Sequence, residues 1–176
     1  MTNPFSHHRG NAAAYFQRPA ERLVLEGYRH WSCGAAMADR GAWERACELY
    51  HGILGGRGAT TAVQALSEFV STLGRCATCP LKTFESGSRH ICRDEVLVMG
   101  LIAGIQNRDD EATELCLTQL SCETRCDEVA LAAGSFALVL RGLDKMLLPI
   151  PASVVRDILG PARPARRDAD QNPTLH

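Results

Sequence analysis

Every long periodic run in this chain steps by three and four residues and none alternates residue by residue, so the fold it permits is helical. From Pro19 the apolar positions Val24, Tyr28, Trp31 and Ala35 fall on one stripe of a helix that ends near Asp39-Arg40-Gly41, with Pro19 suited to its first turn. Residues 42–54 predict a second helix, with Trp43, Cys47, Leu49, Tyr50 and Ile53 inward or half inward and Gly55-Gly56 as its stop. A third takes residues 61–73 through Val63, Leu66, Phe69, Val70 and Leu73, and Gly74 ends it.

Residues 92–107 are apolar on nearly every side, which places that helix at the centre of a bundle, and Gly100 and Gly104 allow a neighbour to approach it closely. Asp109-Asp110-Glu111 puts carboxylates at the start of a helix running to residue 120, where the dipole favours them. Another spans 125–143 on Val129, Ala133, Phe136 and Leu140; Pro149 and Pro151 then break the chain before a short helix over 152–159. The expectation is an all-α, single-domain bundle of six to seven helices over residues 19–160, with flexible ends at 1–18 and 161–176. A chain of 176 residues suits one such domain.

Nineteen basic against twenty acidic residues, a net charge of -1, create no field that draws in nucleic acid or anionic membrane. The start lacks a basic region followed by an apolar run, and the longest apolar stretch, 96–105, is about half of what a bilayer span requires. A cytoplasmic protein with no membrane anchor is therefore expected, and its eight cysteines read as reduced thiols rather than disulfides.

The chemistry concentrates in the irregular stretch 75–92, where Pro80, Gly87 and several serine and threonine residues preclude a long regular element. Cys76 and Cys79 form a C-x2-C pair, a spacing that lets one tight turn aim two sulfurs at one ion. His90 and Cys92 follow at the predicted start of the central helix, where free N–H groups stabilise a thiolate. Together they make a Cys3His set of the kind that holds structural zinc and pins the loop to the central helix. The competing reading makes Cys76 and Cys79 small buried hydrophobes at a helix end and His90 a capping residue.

Cys116, Cys122 and Cys126 cluster around a later helix junction, and a set drawn from them and the first cluster is an alternative that holds an iron–sulfur cluster or serves thiol redox chemistry. Cys33 and Cys47 read as core residues on apolar helix faces, and Cys92 is the thiol a helix start would activate. Arg75, Lys82, Arg89 and Arg93 make the loop basic and are candidates for binding an anion. The chain has no nucleophile elbow, P-loop or dinucleotide fingerprint, so an enzyme is not the expectation. The expected function is that of a zinc-binding regulatory or accessory protein acting through a protein partner; the alternative is an iron–sulfur or thiol-based redox sensor or electron carrier.

Overall fold

Seven α-helices and no strand make up the described part of the chain, residues 15–77 and 79–160 of a computed structural model. They are α1 (Pro19–Met37), α2 (Arg40–Leu54), α3 (Gly56–Cys76), α4 (Arg93–Asn107), α5 (Asp110–Leu120), α6 (Cys126–Gly142) and α7 (Ala152–Leu159), with a 3-10 turn at Glu123–Arg125. The expected flexible ends fall mostly on residues outside those described. Within residues 15–18, however, Tyr15 and Phe16 already pack against the core, and the Tyr15 hydroxyl donates to the Leu148 carbonyl.

The first three helices pack each on the next, and α6 lies between α3 and α4, so residues far apart in sequence share one core. Phe69 of α3 and Phe136 of α6 stack at that junction with ring centroids 5.9 Å apart. Central α4 buries an unbroken run, Leu97, Val98, Met99, Gly100, Leu101, Ile102, Ala103 and Gly104, because α1, α5, α6 and α7 cover it from all sides. That is what a helix apolar all round must do. Gln106 at its end is buried as well; its side chain donates to the Ala137 and Lys145 carbonyls and accepts from Leu147 N, which ties the proline-rich segment before α7 to the bundle.

Three features differ from what the sequence leads one to expect. Helix α3 is longer at both ends, because only Gly55 takes a left-handed φ of 73° and closes α2, while Gly56 and Gly58 are already helical. It also continues through Gly74 to Cys76, since Leu73 and Cys76 still find the core and that burial outweighs the cost of about 1 kcal/mol for a helical glycine. Cys33 is exposed and Cys47 only half-buried, because the last turns of α1 run past the bundle and bury only Gly34, against Trp43.

Gly100 and Gly104 do let α5 approach: a Cβ built on Gly100 would lie 2.7 Å from Cys116 Sγ, and one on Gly104 would lie 2.5 Å from Thr113 Oγ1 and 3.1 Å from Thr113 N. Thr113 cannot yield easily, because its hydroxyl is held by the Asp109 carbonyl at 2.8 Å. Gly104→Ala should therefore lower stability by about 1 kcal/mol, overpacking outweighing the gain in helix propensity. Gly134→Ala, on α6 with nothing within 4 Å, should raise it by about 0.5–1 kcal/mol. Urea titration checks both; equal stabilisation by the two would contradict the close α4–α5 contact.

Candidate functional site

An irregular segment leaves main-chain N–H and C=O groups without ladder partners, so something must satisfy them. Here one buried arginine and two carboxylates do so. Arg29, on α1 and 1% exposed, uses all five of its N–H donors: Nε and Nη2 reach Glu95 Oε1 and Oε2 at 2.7 and 3.1 Å, Nη1 reaches Glu26 Oε1 and the Ser88 carbonyl, and Nη2 also reaches the His90 carbonyl at 2.6 Å. Glu95, fully buried in the first turn of α4, accepts in addition from Thr83 Oγ1, Phe84 N and Cys92 N. Glu26 accepts from Ser86 Oγ and Gly87 N. The segment from Thr83 to Cys92 is thereby fastened to α1 and α4 by side chains alone. Burial opposes charge on Glu95, yet the Arg29 bond and the two amides hold its carboxyl below the ordinary 4.5.

The residues marked out by sequence take separate places around this network. Cys92 is the N-cap of α4, and its Sγ donates to the Lys82 carbonyl at 3.1 Å. Burial, with the adjacent Glu95 charge, pushes its thiol up, so the helix start does not activate it as expected. His90 is exposed, with its ring 6.0 Å from that of Phe84. Cys79 is exposed beside Pro80, on the side of α3 that faces Tyr28 and Ser32 of α1. Cys76 is buried on a different side, with Sγ 3.9 Å from Glu128 Oε2 on α6. Among the described residues, no three His, Cys, Asp or Glu side chains converge as a metal site.

What the structure does join is the two cysteine clusters. Cys122 N donates to the Cys76 carbonyl at 2.9 Å, so the end of α3 abuts the α5–α6 corner. Arg125 reinforces the junction, donating to the Arg75 carbonyl and twice to Glu128. In the same corner Cys126 Sγ lies 3.1 Å from Ser121 Oγ, and Cys122 Sγ lies 3.5 Å from Thr124 Oγ1. Cys116 is apart, buried beside Gly100, and burial pushes its thiol up to about 12. Cys116 packs as a small buried side chain of the core.

The four basic residues do not converge either. Arg75 binds Thr72, Arg93 binds Gln119, and the Lys82 main chain binds Asp94. Of the four, Arg89 alone lines a cleft of about 600 Å³ between α1, α2 and the loop. Also in that cleft, Ser86 Oγ lies 2.6 Å from Glu26 Oε2 and 3.0 Å from His30 Nε2. A hydroxyl has one proton, so when Ser86 gives it to the carboxylate it accepts from the His30 N–H, and the side chain bridges the two. Among the described residues no helix is long and apolar enough to cross a membrane. No family model, curated protein or solved structure matches the chain.

Sequence reasoning missed Arg29. A partner 66 positions away leaves no local signature; the one available signal was the Cys92-x-x-Glu95 spacing of a capping box, which could have marked the carboxylate. Arg29→Met strands Glu95 in the interior and should cost about 3–5 kcal/mol, whereas Arg40→Ala, which breaks an exposed pair with Glu44, should cost under about 0.5 kcal/mol. Because Glu95's folded value lies below 4.5, the stability it contributes is present above 4.5 and is lost as pH falls through that lower value. Denaturant titrations from pH 7 to pH 3 should show this acid limb in the wild type and a shallower one in Arg29→Met; equal limbs would contradict the assignment.

Proposed function

We propose that this chain is a non-enzymatic helical accessory module that takes up one zinc ion at the corner between the end of α3 and the start of α6, and that it acts through a protein partner. The Cys122 N–H to Cys76 carbonyl bond carries this reading, since it sets a C-x2-C pair at one helix end against a C-x3-C pair at another. Both spacings suit structural zinc, and Cys76, Cys79, Cys122 and Cys126 complete a closed four-thiolate set. Cys126 opens α6, so its sulfur sits at the start of that helix. Uptake requires the thiols to turn about χ1 and Cys79 to swing in from the exposed side, and it releases their protons. This set retains Cys76 and Cys79 from the linear reading and replaces His90 and Cys92, which Phe84 and Lys82 engage. For a partner, α6 offers Leu131 and Leu138, seven residues apart on one stripe and 75% and 64% exposed.

The same bond favours a second reading, a thiol redox sensor. The bond brings the main chains of Cys76 and Cys122 into direct contact, the close approach that a disulfide between them requires. Oxidation of Cys76 and Cys122 by a hydroperoxide would form one S–S bond, with the two thiol protons and two electrons reducing the peroxide to water and an alcohol.

Metal analysis, the visible spectrum and disulfide mapping of protein purified without oxygen separate these readings. Zinc at one per chain in a colourless protein is expected, lost with a lower melting temperature in Cys122→Ser and retained in Cys92→Ser. A brown protein containing iron and sulfide points to an iron–sulfur cluster, and a metal-free protein that forms a Cys76–Cys122 disulfide under peroxide points to redox sensing. Metal lost in Cys92→Ser but kept in Cys122→Ser would restore the His90 and Cys92 set and sink the corner.

A further inference from the structure

The cleft between α1, α2 and the loop is independent of the thiol corner, and its lining combines two kinds of side chain. Phe16, Leu25, Leu49 and Ile91 supply apolar side chains, and Arg22, Arg89, His30 and His90 supply basic ones. The one carboxylate among the described lining residues, Glu26, accepts from Arg29, Ser86 and Gly87. Arg22 and Arg89 form no salt bridge among the described residues, so the cleft lining carries two unpaired guanidinium groups together with apolar side chains. Its volume of about 600 Å³ is that of a small-molecule site.

We infer that this cleft binds a small organic anion: a carboxylate or phosphate monoester whose head group lies between Arg22 and Arg89 and whose apolar body lies on Phe16, Leu25, Leu49 and Ile91. A guanidinium fork matches either head group bidentately, which a hydrated ammonium does not. The anchored loop presents Arg89 and His90 from a backbone already fixed by Arg29, so little ordering of the main chain is needed on binding.

Calorimetric titration of the full chain with 2-naphthoate, 2-naphthyl phosphate and neutral 2-naphthalenemethanol tests this. At least one of the anions should bind saturably, the tighter one identifying the head group, and the alcohol should bind about tenfold or more weaker. Arg22→Gln/Arg89→Gln, both exposed and expected to fold normally, should weaken the anion about tenfold, whereas Arg57→Gln on α3 should not change it. Absence of saturable binding by both anions, an alcohol that binds equally well, or a double variant that binds like the wild type would each overturn the inference.

Discussion

A guanidinium group with every donor used, held against a buried carboxylate, is the constraint on which this architecture turns. Arg29 and Glu95 are 1% and 0% exposed, and each is costly to bury alone. Together they satisfy one another and five main-chain groups of the loop: the N–H groups of Phe84 and Cys92 and the carbonyls of Ser88 and His90 directly, and Gly87 N through Glu26. Such a pair adds less net stability than its bond count suggests, because both ions were well solvated before folding. What it adds is definition. The loop has one backbone course that satisfies this network, and the cleft beside it inherits that shape.

The helices were legible because their apolar residues repeat at helical spacing, and α4 was recognisable as central because Leu97 to Ala103 leave it no polar face. Gly100 and Gly104 were readable for the same reason, since small residues on a buried face admit a neighbour. Helix ends were less so. Gly56 and Gly74 look like stops, but Gly56 is already helical and the burial of Leu73 and Cys76 carries α3 through Gly74. Cys33 sits on an apolar-looking face that finds nothing to pack against, which local pattern cannot foresee.

The candidate sites depend on long-range pairing, and there the sequence says least. It marked Cys76, Cys79, His90 and Cys92 by their spacing along the chain, while the fold sets Cys76 against Cys122 across the end of the bundle. The same holds for the basic residues: Arg75, Lys82, Arg89 and Arg93 are neighbours in sequence, but only Arg89 faces the cleft, and its companion there is Arg22 of α1. The role first assigned to a metal, fixing the loop to the start of α4, is performed by Arg29 and Glu95. A metal at the thiol corner would instead fasten α3 to α6, whose contact already contains the Phe69–Phe136 stack.

Hydrogen exchange at two amides tests that account most directly. Phe84 N and Cys92 N each donate to Glu95, at 2.9 Å, and no other partner in the loop protects them. If the ion pair holds the loop, both amides exchange slowly in the wild type, equally so before and after treatment with a strong chelator, and quickly in Glu95→Ala while the amides of central α4 remain protected. Loss of their protection on chelation of the wild-type protein would show that a metal, not Arg29 and Glu95, organises the segment.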